Sequence, residues 1–395
     1  MSPAPPDPRF GGLPPPSDAE CAHSARVVAH LVHEIADEEG WISFADYMNA
    51  ALYAPGLGYY AAGAHKFGPA GDFVTAPELT PLFGLSLAVQ LAQVLAQVPD
   101  GEILEIGPGS GRLAADVVAG LAERDALPAR YLLLEVSPDL RERQRELLSA
   151  QVGALLSHFR WIDALPERWS GAVIANEVLD AVPTHLVVRR GGQWFERGVS
   201  LDASARLAFA DRPLASGMLR NMAQTRFPEG GDYESELNPT AEALVTSIGE
   251  RCERGLMLLV DYGFPAAEYY HSQRDCGTLM AHYRHRALAD PFWCPGLIDM
   301  TAHVDFTAMA RAGVAGGMSV AGFATQARFL VNCGVLDALA RCGDRQSAAY
   351  LRAANAVQKL TSPAEMGELF KVLVVGRGVR QPTAGFAHGD RSHAL

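Results

Sequence analysis

Two clusters in the 395-residue sequence combine residue types and spacings suited to chemistry. The first is Glu102-Ile-Leu-Glu105-Ile-Gly107-Pro-Gly109-Ser-Gly111, in which a short apolar run leads into three closely spaced glycines. A backbone without Cβ atoms can approach a ligand closely there, and the helix predicted to open at Gly111 can receive an anionic group at its N-terminus. A P-loop would need Lys-Ser/Thr after its glycines, but Arg112-Leu113 follows. A dinucleotide fingerprint, G-x-G-x-x-G/A, would place its third small residue at Arg112, one position too late for this sequence. The second cluster is Asn176-Glu177-Val-Leu-Asp180. If this turn is helical, the two acids lie three apart on one face, where paired carboxylates could grip a guanidinium bidentately and orient its nitrogen. The plainer alternative is that these acids favour a helix N-terminus electrostatically.

The spacing G-x-G-x-G preceded by the acid Glu105 resembles the first motif of class I S-adenosylmethionine-dependent methyltransferases. Further residues fit such a site. Glu135 ends a predicted strand, where an acid can accept both ribose hydroxyls. Asp163 follows Phe159-Arg-Trp-Ile162, where an acid can meet the adenine amino group; the alternative is a solvated loop acid. Asn176 is either a cofactor contact or an Asx-turn. Thr75, Pro77 and Glu78, in the segment from Asp72, are expected to close over the cofactor. A sulfonium is a fixed positive charge, so acids lining its crevice make electrostatic sense. The cofactor expected is S-adenosyl-L-methionine, with S-adenosyl-L-homocysteine as product. His282, His285 and His303 match no tight zinc spacing and have no paired cysteine, so no metal is assigned to them.

These residues must be positioned by an alternation of strands and helices. Buried strands are predicted at Glu102 to Ile106, Tyr131 to Val136, Ala172 to Ala175 and Leu256 to Val260, with Phe159 to Ile162 as a further short one. Helices run from Gly111 to Arg124 and from Asp139 to Leu156. This pattern indicates an α/β fold, a parallel sheet covered on both faces. Met318 to Ala324 and Phe370 to Val375 would complete it as an antiparallel edge. The domain plan is a proline-rich arm (1–18) and an N-terminal helical or lid region (19–100). The first half of the core (101–183) follows, then a β-rich insertion (184–240) signalled by alternation around Gly191-Gly192. The second half of the core (241–378) carries a substrate-side segment at 262–306, and a flexible polar tail (379–395) ends the chain. Within the N-terminal region, Ser17 or Asp18 caps a helix over Ala19 to Glu39, and Ser43 or Asp46 starts another ending near Pro55. Ala61 to Thr80 is expected to be a loop, with neither strand nor helix, before a helix from Pro81 to Val98.

Composition narrows the function classes. The formal net charge of −12 disfavours a nucleic-acid backbone as partner and suits a cationic ligand or a basic peptide, although plain solubility accounts for it equally well. No run approaches the ~18 apolar residues of a membrane span. Six scattered cysteines form neither a disulfide framework nor a zinc ribbon, so a reducing compartment is the default. The arm has neither the charge nor the apolar run of a signal or transit peptide, and a cytoplasmic location is expected.

The segments FADYMNAALYAPGLGYYA (44–61), GDFVTAPELTPLFG (71–84), EIGPGSGRLAADV (105–117), NEVLDAVP (176–183), VDYG (260–263) and HYRHRALADPFWCPGLIDMTAHVDF (282–306) together resemble the MidA-type family. That family includes the mitochondrial complex I assembly methyltransferase and its bacterial relatives. The resemblance implies a Rossmann-like, seven-stranded class I methyltransferase core and S-adenosylmethionine as methyl donor. It also implies a protein arginine as acceptor, with symmetric dimethylation of a respiratory complex I subunit in the mitochondrial relatives. Carried over, Gly107, Gly109, Gly111 and Glu135 bind cofactor, while Glu177 and Asp180 face the substrate. A small-molecule or lipid methyltransferase and a non-catalytic assembly chaperone are the alternatives. Nothing in the sequence names the acceptor or the oligomeric state.

Overall fold

The structure, a computed structural model, describes residues 13–62, 75–380 and 383–395. Its centre is a sheet of seven core strands: β1 (Glu102–Ile106), β2 (Tyr131–Leu134), β3 (Phe159–Ile162), β4 (Trp169–Asn176), β5 (Cys252–Phe264), β6 (Ser319–Thr325) and β7 (Phe370–Arg377). Their spatial order is β6-β7-β5-β4-β1-β2-β3. Neighbours from β5 to β3 pair in parallel, whereas β7 runs antiparallel to both β5 and β6. Uninterrupted apolar runs explain this burial: Leu132 and Leu133 of β2, Ala172 to Ala175 of β4 and Leu256 to Val260 of β5 are shielded on both faces. One face packs under α4 (Leu82–Leu95) and α5 (Arg112–Ala122), the other under helices Pro239–Glu250 and Phe306–Ala315. Between β1 and β4 the winding reverses, and in such sheets the crevice beyond the carboxyl ends of those strands receives ligands.

The insertion contributes strands His185–Arg190, Gln193–Leu201, Leu207–Pro213 and Tyr233–Leu237, with helix Met218–Arg226 between the last two. Its first hairpin turns at Gly191 and Gly192, both at positive φ (56° and 77°), as a two-residue hairpin loop requires. The N-terminal region is bound to this sheet, because Ile42–Ser43 pair with Gly198 and Val199. Gly198 permits that approach, since a Cβ there would lie 2.1 Å from the Ile42 carbonyl oxygen.

Two capping boxes define the N-terminal helices. Ser17 with Glu20 starts α1 (Asp18–Asp37), and Ser43 with Asp46 starts α2 (Phe44–Tyr53). Helix α2 packs between the insertion and a small sheet of Met280–Tyr283, Arg286–Leu288 and Asp299–Thr301, sharing one apolar cluster with both.

Two expectations need correction. Ala76–Leu79 forms a short helix, α3, because Pro77 sits in its first turn, where a missing N–H costs nothing. The remainder of the 61–80 segment from 63 to 74 lies outside the described residues. The C-terminal tail is docked rather than frayed. Phe386 is buried against Phe329 at 5.5 Å between ring centres, the Ala384 and Gly385 amides donate to Gln93 and Gln90, and the Arg391 amide donates to the Phe323 carbonyl. One aromatic anchor outweighs the polarity of its neighbours.

Candidate active site

The carboxyl ends of β1, β2 and β4 open into a cavity of about 600 Å³. One end is built by the glycine loop. Gly107 and Gly109 stand at positive φ (61° and 52°) and line the cavity with Pro108 and Ser110. A Cβ on Gly107 would sit 3.1 Å from the Val178 side chain, so the site needs glycine for both conformation and space. Gly111 has another task. It caps α5 at φ 84°, is absent from the cavity lining, and packs against Gln144.

Gln144, on α6 (Pro138–Val152), is fully buried and ties together the glycine-loop end of the cavity. Its Nε2 donates to the Gly109 carbonyl at 2.9 Å and to Glu135 at 3.3 Å, while its Oε1 accepts from the Trp161 indole at 2.8 Å. Glu135 lies just past β2, where its amide donates to Ile162, and its carboxylate also accepts from the Ser137 amide at 2.8 Å. Burial raises its pKa against those hydrogen bonds. Glu105 is buried, accepts from the Tyr131 hydroxyl at 2.6 Å, and is pushed up to about 7 by desolvation. At the start of α5, Ser110 donates to the Glu78 carboxylate and accepts from the Arg112 amide. An acid therefore already faces the helix N-terminus expected to receive an anion, which suits an ammonium better. Thr75 and Pro77 also line the cavity. Asp163 does not. It is exposed in the bend just after β3 and is not among the lining residues.

The other end holds Asn176, Glu177, Asp180, Asp299 and Thr301, with Tyr53, Tyr59 and Tyr60. The turn after β4 is not helical. Glu177 adopts φ 52°, a left-handed conformation that non-glycine residues rarely hold, and its amide donates to Val260 of β5. Strain at this position aims the side chain into the cavity. Glu177 Oε1 accepts from the Ala76 amide and from Asn176 Nδ2, both at 3.2 Å, while Oε2 is buried without a partner among the described residues. Burial first, then the Asp180 charge, pushes Glu177 up to about 8. Asp180 is likewise raised by burial, and its Oδ1 has no partner among the described residues.

Beneath them Asp261, almost fully buried, accepts from the backbone amides of Leu179 at 3.0 Å and Asp180 at 3.3 Å through one oxygen, and from the Tyr262 amide at 2.9 Å through the other. It thereby fixes the turn that carries the acid pair. Tyr60 donates to Asp299 at 2.8 Å, and Tyr53 donates to the Ala181 carbonyl at 2.9 Å. The histidines lie apart. His303 packs its ring on Tyr262 and Phe264, and burial lowers its pKa to about 4.

Residues 86–324 match the model of a family of S-adenosyl-L-methionine-dependent methyltransferases. A Burkholderia thailandensis protein bound to S-adenosyl-homocysteine superposes with a TM-score of 0.93 at 48% identity, over 97% of this chain and 100% of that one. The chain belongs to the MidA-type family of class I methyltransferases. Members of that family with curated names include the mitochondrial protein arginine methyltransferase NDUFAF7 homolog of Drosophila melanogaster, 30% identical over 88% of this chain and 86% of its own. The mouse protein arginine methyltransferase NDUFAF7 is 28% identical over 89% and 84%.

The cofactor of this MidA-type protein is S-adenosylmethionine, and the residues present fit it. The glycine loop, where a Cβ on Gly107 would crowd Val178, lines the same cavity as Glu135, whose two oxygens are braced by Ser137 and Gln144. Gln144, Asp261, Asp299, Thr301 and the three tyrosines were not singled out as site residues from the sequence. Among them, only the tyrosines left a usable trace: closely spaced rings (Tyr53, Tyr59, Tyr60) in a Gly/Pro-rich stretch.

Proposed function

We propose that this methyltransferase transfers its methyl group to a protein arginine. One observation supports this above all: six carboxyl side chains line the cavity (Glu78, Glu105, Glu135, Glu177, Asp180 and Asp299), and no lysine, arginine or histidine lines it among the described residues. Such a lining attracts a cationic acceptor as well as a sulfonium. The names of the curated relatives, at about 28–30% identity, agree with arginine.

When bound, S-adenosylmethionine supplies an electrophilic methyl group. Glu177 and Asp180 hold the guanidinium, draw its positive charge toward them and leave one nitrogen able to present an electron pair. Glu177 is mostly protonated in the empty site at neutral pH; a cation bound beside it favours the carboxylate, which then accepts the proton that this nitrogen sheds. Asn176 and the Ala76 amide hold Glu177 Oε1, so its other oxygen is the one available to the acceptor. Glu135 and the glycine loop hold the nucleoside end, and Glu78 with Glu105 suits the amino-acid ammonium. Symmetric dimethylation belongs to the same proposal through the family resemblance.

The test is transfer of labelled methyl groups to an arginine-containing peptide pool, followed by acid hydrolysis and chromatography. Label in methylarginines is expected, and the symmetric product is resolved on the same column. Label confined to lysine derivatives, or to an organic extract, refutes the arginine acceptor.

A further inference from the structure

We infer that Tyr53, backed by Tyr60, is the residue that selects a planar delocalised cation over a tetrahedral ammonium; this rests on the cationic-acceptor reading above. Tyr53 is the last residue of α2 and lines the cavity, yet 39% of it stays exposed. An isolated exposed aromatic would be unremarkable on a protein surface. This one is immobilised at both its face and its tip. Its ring stacks on Tyr60 with centroids 5.4 Å apart and planes 26° from parallel, and Tyr59 packs edge-on against Tyr60 at 5.1 Å. Its hydroxyl is tied to the carbonyl of Ala181, the residue directly after Asp180. The hydroxyl thus tethers the ring's tip next to the acid pair, while the stack on Tyr60 holds its face in place.

A fixed aromatic face beside carboxylates discriminates by shape and hydration. A guanidinium is flat and weakly hydrated, so it can lie against a ring while its edge engages the acids. An ammonium is a compact, strongly hydrated point charge. It satisfies itself on carboxylates alone and gains little from the ring. The acids thus supply attraction to any cation, and the tyrosine face supplies the preference among cations.

The experiment measures binding of N-ethylguanidinium and n-butylammonium to the protein saturated with S-adenosylhomocysteine, for the wild type, Tyr53→Leu and Tyr53→Phe. Wild type is expected to prefer N-ethylguanidinium by about tenfold, in line with a desolvated cation–π contact. Tyr53→Leu is expected to reduce that ratio below about threefold by weakening the guanidinium only, with S-adenosylhomocysteine affinity unchanged. Tyr53→Phe keeps the ring on Tyr60 and is expected to keep most of the ratio. Equal weakening of both cations in Tyr53→Leu, or no weakening, overturns the inference while leaving the cationic-acceptor reading intact. Loss of the ratio in Tyr53→Phe as complete as in Tyr53→Leu assigns the preference to the hydroxyl and likewise overturns the ring's role. Failure of the wild type to bind either cation removes the reading of the acceptor subsite itself, and the inference with it.

Discussion

Glu177→Gln should make the protein more stable while abolishing methyl transfer. In the folded protein the Glu177 carboxyl is pushed from 4.5 to about 8, by burial and then by the Asp180 charge. A raised acid favours the folded state only while protonated. Its contribution is present in full below pH ~4.5 and is lost as the pH rises toward 8, because the folded chain then holds a proton that the unfolded chain has released. With 1.36 kcal/mol for each tenfold change, the loss is on the order of 2–3 kcal/mol near pH 6.5 and approaches ~4–5 kcal/mol above pH 8, as an upper bound. Glutamine keeps the shape of the protonated acid, including an Oε1 that can accept from the Ala76 amide and Asn176, and it cannot ionise. Urea unfolding of wild type and variant from pH 4.5 to 9 reads this directly. The two curves should nearly coincide at the acid end, and the variant should gain progressively toward pH 8. Cofactor binding, measured by titration with S-adenosylhomocysteine, should persist. A stability difference that does not grow with pH would refute the buried, acid-crowded environment assigned to Glu177. Undiminished transfer would refute its role as the base.

Two further outcomes test other parts of the structure. Gln144→Leu removes the amide that joins Gly109, Glu135 and Trp161. It should weaken S-adenosylhomocysteine binding by roughly tenfold or more, measured calorimetrically, because buried partners are left unpaired. Phe386→Ala, at the docked tail, should cost about 3–5 kcal/mol in urea unfolding without changing S-adenosylhomocysteine affinity, since Phe386 packs on Phe329 and does not line the cavity.

Much of the core was legible because its signals are local. Continuous apolar runs in β2, β4 and β5 mark strands buried on both faces, and the glycines after β1 mark a close backbone approach. Of the two caps offered for each N-terminal helix, Ser17 and Ser43 are the ones used, each completed as a capping box by the acid three residues on. The acids Glu105, Glu135, Glu177 and Asp180 were found by their places at strand ends, and they meet in one cavity. Misreadings arose where local polarity was outvoted by packing. The tail after Arg377 is polar, but Phe386 anchors it, and the helical turn that would have set Glu177 and Asp180 on one face does not form, because Glu177 holds a left-handed conformation.

By itself, then, the sequence determined the strand and helix alternation, the family, the cofactor class and the principal acids, all of which depend on residue type and short spacing. Tertiary structure alone decided which residues meet at the end of the cavity away from the glycine loop. Tyr53 and Tyr60 come from the N-terminal region, Glu177 and Asp180 from the turn after β4, Asp261 from β5, and Asp299 from the small sheet. No periodicity links positions more than two hundred residues apart. Their meeting is set by α2 lodged between the insertion and the small sheet, and by a winding reversal that leaves the β1 and β4 ends open. For the same reason Asp163, at a strand end by sequence, does not reach the cavity, because the direction in which the chain leaves β3 is settled only when the sheet is assembled.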